Sequence, residues 1–119
     1  MADYLPQFSP GDAVTFTASE DVIGGRLVEI TGDRTVAHAA AGSAKVAGVA
    51  GFDAAEGELV TVYSGGVQRP IAAGAVAAGD SVEAAADGKV VTAATGTKIG
   101  LALAAAADGE TASVRFHLA

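Results

Sequence analysis

The sequence contains no cysteine and no tryptophan. The first absence removes disulfides and thiolate metal sites, and gives no cellular address, because a cysteine-free chain suits any redox compartment. The second leaves little from which to build the large aromatic-lined cleft of a paired-carboxylate glycosidase. Basic residues are also scarce. Seven Lys and Arg face 14 Asp and Glu, for a formal net charge of -7. The bases are scattered from Arg26 to Arg115, so nucleic acid, which needs clustered Lys and Arg, is not an expected ligand. An anionic membrane surface is disfavoured for the same reason. No apolar run reaches the roughly 18 residues of a membrane span. The opening Met1–Pro6 has no basic region followed by an apolar stretch, so no secretory signal is expected there. Synthesis and assembly in the cytoplasm is the simplest expectation.

A chain of 119 residues fits one domain and buries roughly two-thirds of its unfolded surface on folding. Half of the residues are hydrophobic, but alanine supplies many of them and aromatics only 5%. Alanine buries little area, so each core contact is small. Part of the stability is therefore expected from contacts between copies of the chain.

What the sequence does have is turns followed by short alternation. Gly11-Asp12 leads to Val14-Thr15-Phe16, Gly57-Glu58 to Val60-Thr61-Val62, Gly79-Asp80 to Val82-Glu83-Ala84, and Gly109-Glu110 to Ala112-Ser113-Val114. Glycine supplies turn angles that other residues avoid, and the alternation has the period of a half-buried strand. Arg26–Ile30 and Thr35–Ala37 read as a hairpin across Gly32-Asp33-Arg34, and Asp87-Gly88 joins Ser81–Ala85 to Lys89–Thr92. Tyr63–Val67 is a third turn. The alanine runs are too short, and too close to glycine, for stable helices. One helical turn is expected at 70–78, opened by Pro70. Short strands with glycine turns predict a mainly β fold, a small sandwich or barrel.

A longer echo is present. Gly48-Val49-Ala50 and Gly57-Glu58 recur as Gly100-Leu101-Ala102 and Gly109-Glu110, both 52 residues on (100 − 48 and 109 − 57). Two related β units is one reading, and chance recurrence of glycine-acid turns is the other.

Residues 1–10 read as an extended arm ahead of a β domain at 11–119. Pro6 and Pro10 oppose helix and central strand, and Tyr4, Leu5, Pro6 and Phe8 cluster there. These four side chains either tuck into the core or dock on a partner.

No catalytic residue, cofactor site or metal site is expected. The serines lie in no nucleophile-elbow pattern, and His38 and His117 stand apart. No His-x-x-x-His pair or calcium loop occurs. Lys89 after a hairpin turn superficially fits a lipoyl or biotinyl carrier, but the flanking residues match neither signature.

The order of Pro10-Gly11-Asp12, Gly24–Val28, Gly48–Ala50, Ala54–Val62, Gly79–Val82 and Gly100–Leu103 resembles the capsid decoration, or cement, proteins of tailed bacteriophages. The resemblance implies a non-enzymatic virion protein with a β-tulip or β-sandwich fold. It further implies a homo-oligomer, with a trimer favoured, on the outer capsid surface after assembly in the host cytoplasm. The major capsid protein would be its partner, cemented across neighbouring subunits, and Tyr4, Leu5, Pro6 and Phe8 would be its docking residues. The rival readings are a phage head-fibre or tail β module and, further off, a small carrier domain.

Overall fold

A computed structural model describes residues 13–116. These form ten short strands and no α-helix among the described residues. The first five are β1 (Val14–Ala18), β2 (Leu27–Gly32), β3 (Thr35–His38), β4 (Val46–Ala50) and β5 (Leu59–Tyr63). They close a barrel in the order β1-β3-β2-β4-β5, with β1 and β3 parallel and every other pair antiparallel. The remainder are β6 (Val67–Gln68), β7 (Ser81–Ala85), β8 (Lys89–Thr92), β9 (Gly100–Ala102) and β10 (Val114–Phe116). They form a sheet in the order β6-β10-β9-β7-β8.

The second sheet repeats the first barrel. Val28 pairs with Gly48, and Val82 with Gly100, so the shift is 54 residues at the first strand (82 − 28) and 52 at the second (100 − 48). The same two shifts carry Val28↔His38 onto Val82↔Thr92, Val14↔Val62 onto Gln68↔Val114, and Val49↔Tyr63 onto Leu101↔Arg115. Even the parallel contact Ala18↔Val36 has its counterpart, as the isolated bridge Ala72↔Val90 between the edges of the second sheet. The echo seen over residues 48–58 is thus one part of a complete structural duplication. Tyr63–Val67 is the crossover between the two repeats.

The two interiors match side chain by side chain. Val22, Val28, Val36 and Val62 fill the first, and Val76, Val82, Val90 and Val114 the second. Ala18, Ala50 and Ala54 correspond to Ala72, Ala102 and Ala106. The eighth position differs, with Val60 in the first repeat and Ala112 in the second. Small β-branched and alanine side chains suit a five-stranded barrel, whose interior has little room, and burying each valine contributes about 1.5–3 kcal/mol.

Segment 70–78 is not helical but bridged at Ile71, Ala72 and Val76, which corrects the helical turn expected there. Ala72 N donates to Glu110 O (2.8 Å) and Val76 N to Ala106 O (2.9 Å). Pairing across the repeat satisfies backbone groups that an isolated helical turn would leave open.

The repeats pack on each other through different faces. Leu27, Ala39 and Val49, on the outer wall of the first, join a core cluster with Ala84, Ile99 and Phe116 of the second. Gly42 N donates to Ala84 O (2.8 Å), Gly88 N to Ala39 O (3.1 Å), and Arg26 Nη1 to Asp87 O (3.3 Å). Asp87 (φ 59°) and Gly88 (φ 72°) both lie in the left-handed region, the conformation that the Asp-Gly pair was read to supply.

Candidate docking surface

Each repeat ends in a tip built from two chain segments joined by one antiparallel bridge, Val22↔Ala54 in the first and Val76↔Ala106 in the second. The backbones agree closely. Ala55 N donates to Glu58 Oε1 (2.7 Å), and Ala107 N to Glu110 Oε1 (2.8 Å). Gly25 N donates to Ala50 O, and Gly79 N to Ala102 O, both at 2.8 Å.

The side chains do not agree. The first tip carries Glu20, Asp21, Ile23, Phe52, Asp53 and Glu56; the second has Gly74, Ala75, Ala77, Ala104, Ala105 and Asp108 at those places. Two of the acids tie the first tip together, with Asp53 Oδ1 accepting from Gly24 N (2.8 Å) and Asp21 Oδ1 from Glu56 N (2.9 Å). A Cβ on Gly24 would lie 2.8 Å from the Phe52 Cα, so the segments carrying Ile23 and Phe52 touch through their backbones. Both side chains remain outside, Ile23 46% and Phe52 50% exposed. The second repeat folds the same backbone with alanine at both positions, so neither side chain is needed for the fold. Two exposed apolar side chains on adjoining segments that also carry Asp21 and Asp53 suit a contact surface. At the second tip the alanines leave an open, shallow groove of about 520 Å³.

His38 has a structural task here. Its Nε2 accepts from Ile23 N (2.9 Å), which requires a neutral ring protonated on Nδ1. Burial, then the Arg26 guanidinium, lower its pKa below the ordinary value, against the opposing pull of Glu20 and Asp87. At the second tip the equivalent amide, Ala77 N, donates to Asp80 Oδ2 (3.1 Å), which also accepts from Thr92 Oγ1 (3.0 Å).

Tyr4, Leu5, Pro6 and Phe8, read from sequence as docking residues, lie outside the described residues, as does His117. Lys89 is half-buried beside a hairpin tip that packs against the first repeat, unlike the free tip a carrier lysine needs. Among the described residues, no three His, Asp or Glu side chains converge to hold a metal ion, and no helix is long and apolar enough to cross a membrane. Ile23 and Phe52 were missed from sequence. A signal was present for Phe52, which the 52-residue echo sets against Ala104, but not for Ile23, which lies in the part of the duplication offset by 54.

The family model of phage cement proteins matches residues 8–118. The fold is similar to the crystal structure of the head fiber gp8.5 N base in bacteriophage phi29, with a TM-score of 0.75 and 25% sequence identity over 91% of this chain and 95% of that one. No curated protein matches.

Proposed function

The chain belongs to the phage cement protein family, and from that premise we propose that it binds the outer surface of the phage head and cements neighbouring major capsid subunits. The family is one of structural phage proteins, not of enzymes, and the chain is a phage head structural protein. The observation that carries the finer reading is the first tip, where Ile23 and Phe52 stand exposed on a backbone that the second repeat forms without them.

Two surfaces serve the contact in this reading. One is the Ile23–Phe52 tip. The other is the arm, residues 1–10, with Tyr4, Leu5, Pro6 and Phe8 docking on the capsid ahead of the β domain at 11–119. Neither contact needs to be strong. Copies assembled as homo-oligomers, trimers in the favoured form, present several at once, and avidity multiplies weak contacts. The net charge of -7 keeps the unbound protein soluble.

A second reading, the base of a head fibre, is favoured by the likeness to the phi29 head fiber base. Co-sedimentation with expanded, undecorated heads, followed by heating of the loaded particles, separates the two. Cementing predicts saturable binding and heads that retain DNA to a higher temperature. A fibre base predicts binding with head stability unchanged. Absence of binding at any loading overturns both.

A further inference from the structure

The contact between the two repeats is not symmetric. Leu27 and Val49 of the first repeat enter the shared core, but their counterparts Ser81 and Leu101 do not. Ala84 and Phe116 of the second enter it, but their counterparts Ile30 and Ser64 do not. One repeat offers its outer wall and the other the end of its sheet. Among the described residues, such a head-to-tail contact leaves one of each face unused, the wall of the second repeat and the sheet end of the first.

Both unused faces keep exposed aliphatic side chains. On the wall of the second repeat Leu101 is half-buried, and Leu103, in the bend just past β9, is 47% exposed. At the sheet end of the first repeat Ile30 is 37% exposed. The partner that fits both is a second copy of this chain, because the counterparts of these two faces already meet inside each molecule, Leu27 and Val49 against Ala84 and Phe116.

We infer that copies associate head to tail, the Leu101–Leu103 wall of one against the Ile30 sheet end of the next, continuing the packing that joins the repeats within a chain. This rests on the self-association proposed above and adds its geometry. A head-to-tail contact builds a ring of three or more copies where its rotation closes and an open filament where it does not, whereas a contact between identical faces stops at two. The continuation is not exact at the hairpin tip. The second repeat has Gly88 there, where a Cβ would stand 2.5 Å from Leu27 O, and the first repeat has Arg34. The tip therefore stands off between copies, and the aliphatic faces carry the contact.

The absence of native cysteine makes the test direct. Leu103→Cys and Ile30→Cys variants are mixed with a short bismaleimide. Heterodimers in excess of random pairing, with little homodimer in either variant alone, are expected. Homodimers without heterodimers, or no cross-link from an assembled protein, overturn the head-to-tail geometry while self-association stands. Wild-type protein that sediments as a monomer at every concentration overturns self-association itself. Leu103→Glu should weaken association about tenfold or more, the scale of one lost buried aliphatic contact, while the melting temperature of the dissociated chain stays at the wild-type value. Association at wild-type strength would also count against the geometry.

Discussion

The place of a Cβ on Gly88 lies 2.5 Å from the carbonyl oxygen of Leu27. The hairpin tip of the second repeat is therefore pressed on the wall of the first with no room for a side chain. Gly88→Ala meets both that clash and a positive φ, and should cost about 1–3 kcal/mol. Chemical denaturation measures it. A stability within experimental error of wild type would show that the repeats do not pack this closely.

Val60 and Ala112 are the one mismatch among the eight buried positions that pair the two interiors. Ala112→Val overfills the second repeat and should destabilise by about 1–3 kcal/mol. Val60→Ala removes two methyl groups from the first and should cost about 2 kcal/mol, from lost transfer energy and the cavity left behind. Denaturant midpoints compare the two. A stabilising Ala112→Val would mean that the second repeat holds unfilled space.

Glu29 and Glu83 are repeat counterparts with different fates. Glu29 Oε1 accepts from Ala40 N (2.9 Å), whereas Glu83 is 9% exposed and its Oε2 has no hydrogen-bond partner among the described residues. A buried oxygen without a partner loses its hydration uncompensated. Glu83→Gln should raise stability by about 1 kcal/mol, and Glu29→Gln should leave it nearly unchanged. Thermal melts of both variants decide this, and a marked loss in Glu83→Gln would overturn the uncompensated cost of the buried oxygen.

His38 links stability to pH. Its pKa is lowered in the folded state, so below the ordinary value of 6.5 the unfolded chain takes up the proton first. The stabilisation is full above 6.5 and is lost as pH falls from there through the folded pKa, where the bond from Ile23 N to Nε2 breaks. Melting temperature should fall more steeply below pH 6.5 in wild type than in His38→Gln. Parallel curves would remove His38 from the account.

Deletion of residues 2–9 and the double variant Ile23→Ala, Phe52→Ala should each weaken co-sedimentation with heads. Ile23 and Phe52 are exposed, so their replacement should move stability by no more than about 0.5 kcal/mol per residue. Undiminished binding after the deletion would remove the arm from the interface. Undiminished binding in the double variant would do the same for the tip.

The sequence by itself determined most of the strands and turns, because both are local, but not the bridged segment 70–78 or the placement of the last strand at Val114–Phe116. Asp87-Gly88 located the hairpin between Ser81–Ala85 and Lys89–Thr92 at its observed bounds, since few pairs adopt two consecutive left-handed conformations. The acidic, turn-rich β pattern and the order of its glycine motifs were enough to suggest the family. Half of the duplication was also legible. The other half was hidden because the loop between the third and fourth strands is two residues longer in the first repeat, which breaks one offset into two. Only the tertiary structure decided which apolar residues face where. Leu27 and Ile30 lie on one strand and look alike in sequence, yet Leu27 is buried against the other repeat and Ile30 is exposed. His38 was equally opaque, because its partner Ile23 is brought to it by closure of the barrel. Periodicity reports the two sides of a strand. Which side another repeat covers is a property of packing between segments distant in sequence.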